Sequence, residues 1–391
     1  MRSVLTVLAL WAAGLGAAAQ FGKISVLYQT LQTTYAAHAG AGIGLMVSIV
    51  GIVGLIFGTT AGLLVARIGP RRAILSALAL GAVVSLIQSS FPSYPLMMLT
   101  RVLEGVSHLT IVVVGPTAIA GVTSQRHQGL AMTLWSSFFG VTYAALAFFA
   151  PGLVAGYGPG ALFQAHGLWM LLCLAALFAL LPPDPAHRQT SGQGNLLAQH
   201  IAIYASPYIA APAMGFVCYT VTYVAVLTLL PAAVTPVWGA FIGVAMPLVS
   251  IVVSLSLGVW LLSKIPAFRL VQAGFAVAIL ASLGLWLTWG QGASEAAFAL
   301  AMAAALGVVQ GASFASLAQI NPSAEDRARG AGAIAQLGNL GTTTGTPLLA
   351  WLLSQAGVSG LAGFLIGFSA LGIVIHSVQA RRRLSADRTT G

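Results

Sequence analysis

Acidic side chains are nearly missing. The 391 residues include six Asp and Glu, and charged residues of both signs make up 6% of the chain. Soluble domains carry about 25% charged residues, so an ordinary water-facing surface is excluded. The same scarcity argues against an enzyme. A zinc protease, a Ser–His–Asp hydrolase or a metal cluster needs a defined group of carboxylates, histidines or nucleophiles, and Glu104 is the only acid deep inside an apolar run. No metal site and no cofactor are expected. Cysteine is as rare: Cys173 and Cys218 lie in apolar runs and fit no disulfide, metal or redox pattern. The chain has no nucleotide-binding loop, which excludes ATP-driven pumping by this chain alone.

Hydrophobic residues fill the space instead, at 58% of the chain with a mean hydropathy of +0.95. The expected class is an all-α polytopic membrane protein. The formal net charge of +10 would suit nucleic acid, but the basic residues stand singly or in short groups between apolar runs. That is the arrangement of topology signals, so the partners expected are the lipid bilayer, a small-molecule substrate and protons, with no nucleic acid. A monomer is expected.

Twelve spans are counted, near 4–30, 42–65, 73–90, 96–122, 129–153, 164–182, 203–231, 238–262, 269–289, 295–319, 330–353 and 361–379. One set of loops holds Arg67, Arg71, Arg72, Arg126, Arg188, Lys264, Arg269, Arg327 and Arg329, and the termini on that side add Arg2, Arg381, Arg382, Arg383 and Arg388. The loops near 31–41, 91–95, 154–163, 232–237, 290–294 and 354–360 hold no Lys or Arg. This asymmetry places both termini in the cytoplasm and the protein in the cytoplasmic membrane. Ala17-Ala18-Ala19-Gln20 imitates a leader cleavage site, but the apolar run continues to Leu31, so the segment is read as a retained first span.

The longest connection, from Pro182 to about Ala202, begins Pro-Pro-Asp-Pro and continues with Ser, Gly, Gln and Asn. It reads as a flexible linker. The expected organisation is a six-helix bundle over 1–182, a cytoplasmic linker over 183–202, a second bundle over 203–380 and a basic tail over 381–391 that meets anionic lipid. The halves repeat one another. Glu104-Gly105-Val106-Ser107-His108 aligns with Gln310-Gly311-Ala312-Ser313-Phe314, Arg126-His127-Gln128-Gly129 with Arg327-Ala328-Arg329-Gly330, and Gly140 with Gly341. Repeated halves are a transporter signature, with substrate held where the repeats meet.

Gly62-Leu63-Leu64-Val65-Ala66-Arg67-Ile68-Gly69-Pro70-Arg71-Arg72 resembles the loop signature Gly-x-Leu-x-Asp-Arg-x-Gly-Arg-Arg of the major facilitator superfamily, and Arg101 with Gly105 resembles that family's Arg-x-x-x-Gly motif. Gly62, Arg67, Gly69 and Arg71 match the signature, whereas its Asp is Ala66 here. The Gly-Pro motif of antiporters in the fifth span is not reproduced, the nearest segment being Ala150-Pro151-Gly152. The resemblance covers essentially the whole chain. It implies twelve transmembrane helices in two pseudo-symmetric six-helix bundles around a central cavity, alternating access, and a gating role for the loop carrying Gly62, Arg67, Gly69 and Arg71.

Arg101, Glu104 and His108 share one face of the fourth span. Charges at bilayer depth cost roughly 2.5–3.5 kcal/mol each on insertion scales, so they pair or line a pathway. Lys23 and Glu104 lie at similar depths below the outer face, roughly 10 and 12 Å at 1.5 Å per residue, which allows a pair across the first and fourth spans. That pair is either a static lock between helices or a site that a proton opens. His108 is either a relay partner of Glu104 or a helix–helix hydrogen-bond donor. Tyr219, Tyr223, Gln310, Gln336 and Asn339 supply neutral groups in the second half. With two cations against one carboxylate, the expected function is proton-coupled secondary transport of a small organic anion or zwitterion. The alternatives are an efflux antiporter for amphipathic compounds and, more remotely, a non-transporting membrane sensor.

Overall fold

Apolar segments of this length satisfy their backbone N–H and C=O groups in lipid only within helices or closed barrels. The computed structural model describes residues 2–58, 60–61, 65, 68–184 and 196–390, and every regular element among them is helical. The chain divides into two compact units, Met1–Ser191 and Gly192–Gly391.

The first unit contains α1 (Arg2–Val26), α2 (Tyr28–Thr34), α3 (Ala41–Ser48), α4 (Gly51–Phe57), α5 (Pro70–Gln88), α6 (Tyr94–Val122), α7 (Gln125–Ser136), α8 (Phe138–Tyr157) and α9 (Gly160–Leu180). The second contains α10 (Leu196–Ala205), α11 (Ala211–Ala233), α12 (Pro236–Leu262), α13 (Ala267–Leu287), α14 (Ala293–Ile320) and α15 (Ala324–Thr390). Ten of these are long and apolar enough to cross a membrane, namely α1, α5, α6, α8, α9 and α11 to α15. The 67-residue α15 is interrupted at Gly357, whose φ of +53° leaves the helical region, and only glycine adopts such a value without strain.

Helix α1 occupies the middle of the first unit, packed by α6, α8 and α9. Its residues from Gly16 to Ser25 are all buried, which small side chains make possible. A Cβ on Gly16 would meet Met170 Sδ at 2.6 Å, and one on Gly22 would meet Leu146 at 2.5 Å. Close approach of this kind is how helices associate where lipid removes the hydrophobic drive between them. Outer faces are apolar: Phe148, Phe149, Leu172, Val252 and Leu280 are exposed, as suits contact with acyl chains. In the connection between α2 and α3, the Tyr35 hydroxyl donates to the Pro92 carbonyl at 2.7 Å, and burial pushes that phenol up to about 12, so it stays a donor.

Several expected spans differ in detail. The span read over 42–65 is not one continuous helix. Its hydrogen-bond ladder is interrupted over Ile49–Val50, although both residues keep right-handed dihedrals, and Gly51 and Gly54 weaken the helix beyond it. The span read over 129–153 arrives as α7 and α8, parted at Ser137. The segment read as linker to 202 is helical from Leu196, and the following span starts at Ala211 rather than 203. The break between α10 and α11 falls at Ser206-Pro207. Proline lacks an N–H and pushes its predecessor out of the helical region, and Ser206 Oγ accepts the freed N–H groups of Tyr208 and Ile209 at 3.2 and 3.1 Å.

Candidate functional site

Four helices of the first unit each place polar groups into one buried cluster. From α1 comes Lys23, and from α5 come Ser85 and Gln88. Arg101 and Glu104 stand one turn apart on α6, and His166 projects from α9. Lys23, Arg101 and Glu104 have no exposed surface at all. Lys23 Nζ donates to Glu104 Oε1 at 2.5 Å and to Ser85 Oγ at 2.9 Å, and lies 3.2 Å from His166 Nδ1. The other carboxylate oxygen, Oε2, accepts from Arg101 Nη1 and from Gln88 Nε2, the latter at 3.0 Å. A Phe163 ring lies 5.2 Å from Nζ and contributes a cation–π contact.

Arg101 makes the cluster part of the fold. Its Nε and Nη2 donate to the carbonyls of Met46 and Val47 at 2.9 and 3.0 Å. Those carbonyls belong to the last turn of α3, where the interrupted ladder leaves acceptors without an intrahelical donor. The guanidinium thus caps a broken helix and grips the carboxylate at once, a use of its planar fork that an ammonium cannot copy. Gly105 completes the junction, because a Cβ there would collide with the Val50 carbonyl.

Two cations therefore face one carboxylate, and the remaining valences are neutral. The Gln20 and Gln88 amide oxygens are buried without a partner among the described residues. His108 stands apart from this network: its Nδ1 meets the Ala17 carbonyl at 2.9 Å, and its ring sits edge-on to Phe21. That is a helix–helix contact with α1, not one aimed at Glu104.

A family model described as Major Facilitator Superfamily matches residues 6–324, more than half of the chain. The chain belongs to the major facilitator superfamily. It is a membrane transporter of that superfamily, integral and multi-pass. No curated protein matches it.

The superfamily loop signature is only partly visible, since Gly62 and Arg67 lie outside the described residues. Gly69, with a φ of +97°, precedes α5. The Asp184 carboxylate fits beside it, where any Cβ would intrude, and accepts the backbone N–H groups of Arg71 and Arg72 at 2.8 and 3.0 Å. An acid at a helix N-terminus is favoured by the open N–H groups and the macrodipole. The Arg71 side chain turns away to the Phe178 carbonyl at 2.8 Å and stacks on the Phe178 ring.

In the second unit, Tyr219 and Tyr223 stack at 5.0 Å, and the row continues through Phe216 to Phe314. The Tyr219 hydroxyl is buried without a partner among the described residues. Gln336 accepts from the Tyr204 hydroxyl at 2.8 Å, whereas Asn339 donates back to Ala335 in its own helix at 2.7 Å. Gln310 is partly buried on α14, one turn before Phe314.

Sequence reasoning missed His166, Ser85 and Gln88. Each is a polar group in an otherwise apolar span, which is the usable signal. Asp184 was also missed, although Pro-Pro-Asp-Pro marks a deliberate turn.

Proposed function

We propose that this transporter moves a small organic anion or zwitterion across the cytoplasmic membrane by alternating access, coupled to protons. Both termini lie in the cytoplasm in this reading. The observation that carries it is the buried cluster in which Lys23 and Arg101 share the single carboxylate of Glu104. Burying charges costs several kcal/mol per ion even when paired, so a cluster with an excess positive charge is an expensive way to join helices that already interlock through glycine.

The chemistry follows from the excess. A proton taken up by the cluster weakens the hold of the carboxylate on its cations. The freed ammonium then receives an anionic group, and release of both on the other side restores the pair. Tyr219, Tyr223, Gln310, Gln336 and Asn339 belong to the substrate pathway in this reading, and the loop carrying Gly62, Arg67, Gly69 and Arg71 acts in gating.

Purified protein in liposomes with a pH-sensitive dye inside tests this. Small carboxylates, amino acids, inorganic anions and cationic drugs are added outside, with and without a membrane potential. Internal acidification on adding an anion or amino acid is the expected result. Alkalinisation with a cationic drug would replace it with the efflux antiporter.

A further inference from the structure

We propose that the proton enters the cluster at His166, and that protonated His166 and the Lys23–Glu104 pair exclude one another. This rests on the proton-coupled reading above and names its proton acceptor.

Hydrogen-bond roles fix the state of the ring. His166 Nε2 lies 3.0 Å from the Gly16 carbonyl oxygen. A carbonyl only accepts, so Nε2 carries a hydrogen. Nδ1 lies 3.2 Å from Lys23 Nζ and 2.9 Å from Ser85 Oγ. An ammonium only donates, and Ser85 directs its hydroxyl hydrogen to the Phe163 carbonyl at 2.8 Å. Nδ1 is therefore the acceptor, and the ring is the neutral Nε2–H tautomer. The three ammonium hydrogens of Lys23 go to Glu104, Ser85 and His166, with none to spare.

A proton from water that joins the Nδ1 lone pair turns the ring into an imidazolium whose new N–H points at an ammonium. Two like charges at this range, in a site without water's screening, repel strongly. Lys23 keeps its own proton and swings away on its flexible stem. Glu104 retains Arg101 and Gln88. The cluster has gained one positive charge, and an anion meeting the displaced ammonium cancels it. Proton and anion thus enter together.

Glu104 is the poorer point of entry, because both of its oxygens already face donors that must leave first. His108 faces α1 instead. Around His166, Lys23 and the Gly16 carbonyl face it from α1 and Ser85 from α5, while Glu104 and Arg101 act on it from α6.

His166→Asn offers Lys23 an amide acceptor but cannot titrate. His166→Gln is the second variant if Asn does not fold. Wild type and variant are placed in liposomes with a dye for internal pH and given labelled succinate, glutamate, gluconate or inorganic phosphate. The expected wild type takes up one of the four with internal acidification. The variant falls to the acidification of empty liposomes, and its residual uptake loses the dependence on external pH that the wild type shows. Acidification and a pH profile equal to wild type in the variant overturn the proposal alone. A wild type that moves label without acidification, or moves none of the four, overturns the transport reading instead. The ring assignment is then judged without substrate. In histidine-15N spectra, the resonance missing from the variant must carry its hydrogen on Nε2, and a hydrogen on Nδ1 overturns it.

Discussion

At the scale of single residues, the ionised groups of the cluster each have an assigned partner. Removing one member of a buried ion pair costs about 3–5 kcal/mol, because the other charge is left behind. Lys23 and Glu104 should therefore be strongly coupled: a double-mutant cycle of Lys23→Met and Glu104→Gln, read by thermal unfolding in detergent, is expected to show about 0.5–3 kcal/mol of interaction. Purely additive single variants would contradict the pair. Arg101→Lys keeps the charge yet loses the two carbonyl bonds to Met46 and Val47. A drop in the unfolding temperature is expected, and an unchanged one would show that the guanidinium does not cap α3. The proximity of Lys23 and Glu104 was legible in the sequence because depth along two antiparallel spans follows from counting residues. His166, Ser85 and Gln88 were not, because counting gives depth and not the rotation of α5 and α9 about their axes.

At the scale of elements, the second expected span of each half is distorted, at α3 to α4 in the first unit and within α12 in the second. In the first unit the ladder breaks after Ser48, opposite Gly105. In the second, a π-helical turn starts at Ser254, opposite Gly311. The two serines stand at the same distance in sequence before their glycines, so the repeat seen between α6 and α14 extends to their partners. Gly105→Ala forces the Val50 carbonyl aside and should cost about 1–3 kcal/mol as overpacking. Unfolding measurements check it, and a neutral outcome would mean that the junction gives way freely. Neither distortion was legible from sequence, since glycine-rich apolar runs also occur in straight membrane helices. The Asp184 cap is the second element-level case. Asp184→Ala should destabilise the start of α5 by about 0.5–2 kcal/mol and speed hydrogen exchange at the Arg71 and Arg72 amides. Unchanged exchange there would dismiss the cap.

At the scale of the whole molecule, membrane class and family were open to reading because both are written in composition and in the loop signature, and the family match over residues 6–324 agrees. Helix boundaries were less open, because proline at 207 and the ladder interruption at 49–50 interrupt hydropathy runs that look continuous. The buried Lys23, Arg101 and Glu104 cluster lies in the first unit, while the aromatic row of Tyr219 and Tyr223 lies in the second. In the proposed cycle, coupling belongs to the first unit. The most direct measurement compares pH-driven accumulation with counterflow exchange in Glu104→Gln liposomes. Without the carboxylate, Lys23 no longer waits for a proton, so accumulation should be lost while exchange of the same labelled solute persists. Accumulation at the wild-type level in Glu104→Gln would contradict the account and return the cluster to a lock between helices.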